Sequence, residues 1–582
     1  MASVNPGTGW GKSRPATITP ATSGVPIIVV GTDEYRVNDL AAAVLAGDKD
    51  LYQRGGFLVQ VVEAEPGGNT DGGVWRQPGS PVIRLLPPAL PRDRLTRSAR
   101  WVKRVPGQES GTEERPTHPP AWSVNAVQAR GEWPGVRHLE AVVNYPVFLS
   151  DGSVLASNGY DPATGLLVAM PPGLRVVVPE NPTAADVHAA VATIDDILFD
   201  FPFERPEHRA AWYAGLLTPL AWFGFQGPAP LTLIDGNVRG IGKGLLADLI
   251  ALILTGRRFP LMGYTPDKEE LRKRITSLAM EGERLILLDN LAGSVGNDAL
   301  DMALTADRWK DRVLGGNAVF DGPLNLDWYA TGNNVQLRAD TARRSCHCRL
   351  ETQVERPELR AGLKHPDRRR YVLENRGSLL SAALTILRGW HVAGRPRHEL
   401  TPWGTFEVWS GVVREAVVWA GLSDPGETRE ALQSAADRDA MAMTALMNVL
   451  AIADPNGRGM TTAEIIDTAR KPGDPAPAWA ADLRAAVEEL CGKLDGQALG
   501  YKFRHFIRRK FGGRMIDKAW GGHGNVARWA VFVVGRATPL APSLVSPALS
   551  TGGDGGDGGH VPSPPDIAGK KVRPALGHMD TR

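Results

Sequence analysis

The stretch LTLIDGNVRGIGKGLLADLIALI, residues 231–253, constrains the fold of this chain more than any other part of it. It reads as an apolar strand, a glycine-rich turn and an apolar helix, with Lys243 where the turn becomes the helix. Backbone N–H groups at such a helix start point into one concavity, where the helix dipole is positive. The layout therefore predicts a phosphate-binding loop. The alternative is a glycine-rich strand-to-helix turn that binds nothing.

The composition of this loop departs from the usual pattern at two positions. The pattern is G-x-x-x-x-G-K-S/T, and this chain has N-V-R-G-I-G-K-G. Asn237 replaces the first glycine, which is a mild change because Asn tolerates left-handed backbone angles. Gly244 replaces the hydroxyl residue that ligates Mg²⁺, so that a water or a nearby carboxylate such as Asp248 has to fill in. The predicted nucleotide-contacting residues are Asn237, Gly240, Gly242, Lys243, Gly244 and Leu245.

A second apolar strand ends on a carboxylate. In EGERLILLDNL, the run Leu285–Leu288 leads to Asp289, and in nucleotide-hydrolysing folds an aspartate there holds the water shell of Mg²⁺. Asn290 follows, where many ATPases carry a glutamate that polarises the attacking water. Asparagine can orient a water but cannot take its proton. The alternative is an ordinary strand that ends at an Asx turn.

A third strand and an arginine pair complete the pattern. LNLDWYATGNN ends on Thr331, Gly332, Asn333 and Asn334, and Asn333 could reach between the γ-phosphate and the attacking water. The segment ADTARRS then carries Arg343 and Arg344, which could reach the nucleotide of a neighbouring subunit and stabilise charge in the transition state. An arginine pair on a plain surface is the alternative. The order of these signals together predicts an ATP site with Mg²⁺ held at Asp289.

With these motifs the chain resembles the AAA+ ATPases of the superfamily 3 helicase type, over about residues 181–400. It is similar to replication helicases and primase-helicases of phages, plasmids and large DNA viruses. The resemblance implies that Lys243 is the Walker A lysine, Asp289 the Walker B aspartate and Asn333 the sensor-1 asparagine. Arg343 or Arg344 would be the finger that acts across a subunit interface.

The resemblance also implies partners. Family members assemble as rings, commonly homo-hexamers, which pull single-stranded DNA through a central pore. They place a pore-lining hairpin between the second and third strands, where Lys310, Arg312 or the turn around Gly315 and Gly316 could serve. A plain surface hairpin is the alternative. Arg376 would be a second sensor arginine or a structural salt-bridge partner. A separate primase or polymerase is expected, because the first domain has no primase centre that the sequence identifies.

Two functions follow, and they differ in the use of ATP. The first is an ATP-dependent DNA helicase or replication ATPase of a phage or mobile element. The second is a non-hydrolysing DNA-binding replication or regulatory factor that nucleotide only organises. Gly244 and Asn290 favour the second function, whereas Asn333, the arginine pair and a basic C-terminal region favour the first.

The basic C-terminal region, residues 456–537, reads as a winged helix. Thr461 and Glu464 form a capping box for a first helix. QALGYKFRHFIRRKF is a third helix, followed by two strands that the turn GGHGN, residues 521–525, would join. Such a density of positive charge beside a groove-sized helix is typical of phosphate-backbone binding. The alternative is a solvated basic helix in a protein-interaction wing. The predicted DNA-binding residues are Lys310, Arg312, Lys502, Arg504, Arg508, Arg509, Lys510 and Arg514.

The whole chain is therefore expected to be a multidomain α/β protein. It would comprise a disordered arm (1–24), an N-terminal α/β domain (25–180), a central AAA+ P-loop ATPase with a parallel sheet (181–400), a helical connector (401–455), the winged helix (456–537) and a disordered tail (538–582). Within the N-terminal domain, LYQRGGFLVQVV predicts a hairpin that turns at Gly55 and Gly56. Three cysteines are too few for a disulfide framework, and no apolar run is long enough to span a membrane. We expect a bacterial cytoplasmic setting, with a phage or plasmid as the source. In Cys346-His347-Cys348, alternation along a strand fits packing better than a zinc site.

Overall fold

The computed structural model describes residues 24–533, apart from gaps at 66–68, 71–73, 88, 107–110, 293, 314–317, 431, 433–437, 472–475, 512 and 520–526. The predicted tail and all but the last residue of the predicted arm lie outside the described residues. So do the expected hairpin turn at Gly315–Gly316 and the turn at 521–525. The chain is a mixed α/β protein that divides into two compact units, residues 1–445 and 446–582. The predicted boundaries at 180 and 400 stay predictions.

The strands are bounded as follows. They are β1 (Ile27–Val30), β2 (Tyr52–Arg54), β3 (Phe57–Glu63), β4 (Asn69–Thr70), β5 (Val74–Trp75), β6 (Pro81–Leu85), β7 (Arg100–Pro106), β8 (Thr112–Pro116), β9 (Arg137–His138), β10 (Ala141–Val143), β11 (Val147–Phe148), β12 (Val154–Leu155), β13 (Gly159–Asp161), β14 (Leu166–Val168), β15 (Leu231–Gly236), β16 (Leu261–Met262), β17 (Leu285–Leu291), β18 (Ser294–Val295), β19 (Arg308–Arg312), β20 (Val319–Pro323), β21 (Asp327–Gly332), β22 (Gln336–Leu337), β23 (Ser345–Leu350), β24 (Arg514–Lys518) and β25 (Trp529–Val533).

The helices occupy the intervals between these strands. They are α1 (Glu34–Leu45), α2 (Leu90–Ser98), α3 (Ala121–Gln128), α4 (Ala184–Leu198), α5 (Pro206–Phe225), α6 (Lys243–Thr255), α7 (Lys268–Met280), α8 (Asp298–Ala303), α9 (Ala339–Arg343), α10 (Arg368–Glu374), α11 (Arg376–Val392), α12 (Glu407–Trp409), α13 (Glu415–Trp419), α14 (Arg438–Ala453), α15 (Thr462–Arg470), α16 (Ala480–Cys491) and α17 (Gly496–Phe506), with a π-helical turn at Ser410–Arg414.

A seven-stranded sheet organises the first unit, in the order β23-β15-β21-β17-β16-β5-β4. The five strands from β23 to β16 are parallel, and β5 and β4 continue the sheet in antiparallel pairing. Their apolar runs are buried on both faces, which is typical of parallel strands that helices cover on both sides. The predicted parallel sheet is confirmed. Strands from the first 180 residues extend it.

Smaller sheets lie in the first 180 residues. The predicted hairpin LYQRGGFLVQVV is confirmed as β2 and β3, which turn at Gly55 (φ 55°) and Gly56 (φ 83°). Two positive φ angles in succession favour glycine in such a turn. A separate apolar core, with Trp101 and Trp133 buried in it, packs under α1, α2 and α3.

The second unit contains α15, α16, α17 and the antiparallel pair β24–β25. The capping box of α15 is confirmed, because Thr461 accepts from the Glu464 N–H and Glu464 accepts from the Thr461 N–H. The third predicted helix is shorter than expected. It ends at Phe506, because Ile507 is extended and Arg508 is left-handed (φ 61°). The Arg508 N–H then donates to the Ile516 carbonyl at 2.9 Å, which draws this segment towards the hairpin.

Candidate functional site

The carboxyl edge of the central sheet collects the residues that the sequence singles out. Strand β15 connects to β16 on one side, whereas β21 connects to β23 on the far side of β15. Neighbouring strands whose connections leave in opposite directions open a crevice at their carboxyl ends. The glycine-rich loop leaves β15 at this crevice. Asn333 follows β21 there, and Asp289 lies near the end of the next strand.

The glycine-rich loop has the predicted curl. Gly240 has φ 75° and Gly242 has φ 109°, and α6 begins at Lys243. Both angles lie in the left-handed region, where a side chain would be strained. A Cβ on Gly240 would also lie 2.6 Å from the carboxylate of Glu358. The backbone conformation of this loop therefore favours glycine at both positions.

The Lys243 side chain contacts the turn that follows β21. Its Nζ donates to the Asn333 Oδ1 at 2.6 Å and to the Val238 carbonyl at 3.0 Å. Burial lowers the pKa of Lys243, although the nearby charge of Asp235 opposes this shift. A half-buried ammonium whose hydrogen-bond partners are neutral oxygens is well placed to attract an anion.

Asp289 and Asn290 lie in a bulge of β17. The pairing of β17 with β21 shifts register between Leu288 and Leu291, and both intervening side chains are exposed. The Thr331 hydroxyl donates to the Asp289 Oδ1 at 2.6 Å and accepts from the Asn290 N–H at 2.9 Å. Bulges re-aim side chains in this way. Asn290 has φ 55°, which favours asparagine over the glutamate expected at this position.

Three further loop residues behave differently from one another. Asn237 is not among the described residues with positive φ, so the tolerance of asparagine for left-handed angles is not needed at this position. Its side chain instead holds Thr352, donating to the carbonyl at 2.7 Å and accepting from the N–H at 3.2 Å. A Cβ on Gly244 would meet nothing within 4 Å, so a hydroxyl residue would fit there. Leu245 is partly buried and packs against the main apolar core.

The sequence did not single out a group of charged residues beneath the loop. Asp235, which is 2% exposed, ion-pairs with Arg349 at 2.8 Å and lies 3.5 Å from His347. Burial raises the pKa of Asp235, but His347, the Gly236 N–H and Arg349 outweigh it, so its pKa lies below the usual range. A charged residue at the end of the buried run LTLID was the signal that could have revealed this group.

The two candidate finger arginines differ in their surroundings. Arg343 pairs with Asp340 on the same helical turn, and its side chain is 59% exposed. Arg344 pairs with Asp301 at 3.1 Å, and its side chain is 23% exposed. An ion pair as exposed as that of Arg343 with Asp340 contributes little energy. Arg343 is therefore the more available of the two for a group outside this chain.

Two residues that the sequence connects with the site are held by contacts elsewhere. Asp248 is 2% exposed and is held by Arg369 at 2.8 Å and Arg258 at 3.2 Å, so its carboxylate is already neutralised and is not free for a metal ion. Arg376 donates to the carbonyls of Ile253 and Leu254, at the far end of α6 from the loop, and to Asn144. Burial lowers the pKa of Arg376 to about 10. It closes a helix C-terminus, because the last carbonyls of a helix lack partners within it.

The hairpin between the second and third core strands is present. Strands β19 and β20 pair, and Arg308, Lys310 and Arg312 are exposed while Trp309 is buried. Asp321 lies 3.0 Å from both Arg308 and Lys310. Hydrogen bonds from Lys310 and then Arg308 lower the pKa of Asp321. Arg308 shares the face of the two predicted DNA-binding residues, and period-two alternation along the strand would have identified it.

The predicted basic residues of the second unit are surface residues. Arg504, Arg508, Arg509 and Lys510 are exposed, whereas Lys502 and Arg514 are half-buried. Arg508 ion-pairs with Asp517 at 2.7 Å, and Arg514 donates to Asn448. Arg508, Arg509 and Lys510 lie in the turn after α17 rather than on the helix. This places the charge at the helix end, beside the hairpin.

The strand that carries Cys346-His347-Cys348 packs in the core. Both cysteines belong to the main apolar cluster, and burial raises the pKa of Cys346 to about 12. Among the described residues, no group of three or more His, Cys, Asp or Glu side chains is placed to hold a metal ion. None of the helices in the described ranges combines the length and apolarity that a membrane span requires.

Comparison with known proteins finds similarity among solved structures. No protein-family model matches the chain, and no curated protein does. Solved structures similar to it include the apo A form of the NrS-1 C-terminal region, with 13% identity and a TM-score of 0.33, over 74% of this chain and 93% of that one. A 305–718 version of that region has the same identity and TM-score, over 65% and 84% of the two chains. Since both TM-scores are low, the interpretation rests on this chain's own geometry.

Proposed function

We propose that this chain is an ATP-dependent DNA helicase or replication ATPase of a phage or mobile element. The observation that carries the proposal is the contact between Lys243 and Asn333, 2.6 Å apart, beside the bulge that exposes Asp289. A lysine at a helix start, a carboxylate and an amide at adjacent strand ends can bind phosphates, a hydrated metal ion and a water in one crevice.

The residues of the crevice fit ATP and Mg²⁺. The loop N–H groups and Lys243 would hold the phosphates, and Asp289 would hold Mg²⁺ through water. The metal would neutralise charge that develops on the phosphates. Asn333 and Asn290 would orient the attacking water. Because the Thr331 hydroxyl donates to Asp289, that carboxylate is kept in one orientation.

Three surfaces support an AAA+ ring that acts on DNA. Arg343 is exposed near the start of β23, where it could complete the nucleotide site of a second copy. The basic face of the β19–β20 hairpin could contact single-stranded DNA inside a hexameric pore. The second unit has the element order of a winged helix, and its exposed Arg504, Arg509 and Lys510 could neutralise phosphates of duplex DNA.

The test is the rate of ATP hydrolysis with and without single-stranded DNA. We expect a Mg²⁺-dependent rate that DNA increases, and a fall of about 100-fold or more in Lys243→Ala. Arg370→Gln is a matched control, because Arg370 is an exposed cation paired with Glu374. A rate that is equal in wild type and Lys243→Ala would refute the proposal.

The left-handed Asn290 and the missing hydroxyl at Gly244 favour a second function. In that case nucleotide would organise assembly on DNA without being hydrolysed. The same protein distinguishes the two functions, if nucleotide binding and the mass of the assembly are measured beside the hydrolysis rate. Binding and assembly without hydrolysis would establish the second function, and Lys243→Ala should then abolish both.

A further inference from the structure

Arg349 connects the strand of the glycine-rich loop to the turn that carries Asn333. It lies near the carboxyl end of β23, and Asp235 on the adjacent β15 is its paired residue. Its Nη1 donates to the Asp235 Oδ2 at 2.8 Å, and its Nη2 donates to the Asn334 Oδ1 at 3.1 Å. One guanidinium thus bridges two separate elements of the candidate nucleotide site.

The turn after β21 is held in place through these same groups. Asn334 has φ 45°, and its N–H donates to the Gly236 carbonyl at 3.2 Å. Its Nδ2 donates to the Asn237 carbonyl at 3.3 Å. The Val335 N–H donates to the Asp235 Oδ1 at 3.3 Å. Asn333 directly precedes Asn334 in the chain. The position of the Asn333 side-chain amide against Lys243 therefore depends on how firmly this turn is held.

The carboxylates around Arg349 favour a structural role for its guanidinium over phosphate binding. Besides Asp235, it lies 3.4 Å from Glu204 and 3.8 Å from Glu351, and its side chain is only 21% exposed. A guanidinium surrounded by three carboxylates would have to break buried contacts in order to reach a phosphate. Its planar fork, in contrast, matches two acceptors that belong to different elements.

We infer that Arg349 is a positioning residue of the proposed nucleotide site: it docks the turn 332–335 on the base of the loop and so holds Asn333 against Lys243. This inference rests on the proposed ATP site and adds a residue to it. Arg349 itself does not touch the nucleotide. Substitution should therefore lower the rate of the chemical step and leave nucleotide affinity nearly unchanged.

Amide hydrogen exchange in the nucleotide-free protein tests the docking directly. In Arg349→Gln, we expect exchange at the Asn334 and Val335 amides to accelerate roughly tenfold or more, because local opening becomes easier. Amides in the middle of β15 should keep their protection, and Arg370→Gln is the matched control. Unchanged exchange at Asn334 and Val335 would overturn the inference whether or not the protein hydrolyses ATP.

Kinetics supply the functional arm. We expect kcat to fall by about 10- to 100-fold in Arg349→Gln, with the nucleotide Kd within about threefold of wild type. Arg349→Lys keeps the charge and loses the fork, so it should recover little of the rate. Full recovery by lysine, or a Kd that rises as much as kcat falls, would contradict a positioning role.

A double-mutant cycle with Asn334→Ala isolates the bridge. If Arg349 acts through Asn334, the double variant should be no slower than Asn334→Ala alone. Multiplied effects would show that Arg349 acts by another route and would overturn the inference. A wild-type protein that binds no nucleotide would refute the proposed function alone, since hydrogen exchange would still report on the docking.

Discussion

Charged side chains have different surroundings at the two edges of the central sheet. At the carboxyl edge, Lys243 has neutral hydrogen-bond partners, and the side chains of Asp289 and Asn290 are exposed. At the amino edge, Arg54 and Arg284 are each 4% exposed and Arg76 is 1% exposed. The crevice edge keeps polar groups that a ligand could engage, whereas the opposite edge uses buried arginines to join parts of the chain.

The arginines of the amino edge have acceptors from several elements. Arg54 donates to the carbonyls of Leu139, Glu140, Ala279 and Pro323, and burial lowers its pKa to about 10. Arg76 pairs with Glu281 at 2.5 Å and Glu283 at 2.6 Å. Arg284 pairs with Asp327 at 3.4 Å. A buried charge is tolerated only when such partners compensate its lost hydration. Burial alone therefore does not mark an arginine as functional.

The largest expected effect is a difference in the free energy of unfolding between a variant at the amino edge and a variant at the carboxyl edge. Arg284→Met should lower the free energy of unfolding by about 3–5 kcal/mol, because it leaves Asp327 buried without its partner. Lys243→Met should change the free energy of unfolding by less than about 1 kcal/mol. Lys243 is half-buried and its hydrogen-bond partners are neutral oxygens, so its removal leaves no buried charge without a partner. Denaturant unfolding measures both. Equal losses in the two variants would break the comparison.

The pH dependence of that loss follows from Asp327. Burial raises its pKa to about 7, and the charge of Arg284 opposes this shift. Since the folded pKa lies above the unfolded one, this carboxyl costs stability as the pH rises from about 4 to about 7. Without Arg284 the pKa should rise further. The destabilisation of Arg284→Met should therefore be larger at pH 8 than at pH 5.

The next largest effect concerns Arg376. Arg376→Met removes the donors from two carbonyls at the end of α6 and from the Asn144 carbonyl, and it should cost about 2–3 kcal/mol of stability. Nucleotide affinity should stay within about twofold, because α6 spans roughly 20 Å between Arg376 and the loop. Isothermal titration with a nucleotide analogue, beside thermal unfolding, provides the check. A tenfold loss of affinity in a stably folded variant would restore the sensor interpretation.

A smaller effect distinguishes the two departures from the usual motifs. Gly244→Ser should fold normally, because its Cβ enters open space, and should raise Mg²⁺-dependent turnover about tenfold by adding a direct oxygen ligand. Asn290→Glu should instead cost about 1–2 kcal/mol of stability, because its backbone is left-handed. Steady-state rates over a Mg²⁺ titration decide the first point. No gain in Gly244→Ser would mean that a direct ligand is not what limits the rate.

The smallest expected effect is the response of nucleotide affinity to alkaline pH. Burial lowers the pKa of Lys243, and bound phosphate favours its charged form. Affinity should therefore begin to fall at a lower pH than an exposed lysine would give, and by at most about tenfold per pH unit. Lys243→Arg should remove this fall, because arginine stays protonated. A flat profile in the wild type would show that Lys243 does not contact the phosphates.

Features that depend on neighbours along the chain were predictable from the sequence. The strand–loop–helix around Lys243 and the hairpin at Gly55–Gly56 were predicted because their periodicity and glycines are local. The capping box at Thr461 was predicted from a three-residue spacing. The bulge that places Asp289 and Asn290 outside was not predictable, because it depends on the register of β17 against β21.

By itself, the sequence determined which residues reach the carboxyl edge of the sheet, because parallel strands deliver their following residues to the same side. Only the tertiary structure decided which charges are engaged there and which are not. The sequence suggested that Asp248 and Arg376 could serve the nucleotide site. Asp248 instead pairs with arginines from α10 and from the loop after α6, and Arg376 donates to the end of α6. Arg349 looked unremarkable, yet it meets Asp235 and Asn334. Pairing over such sequence distances is set by strand order and packing, which no local pattern encodes.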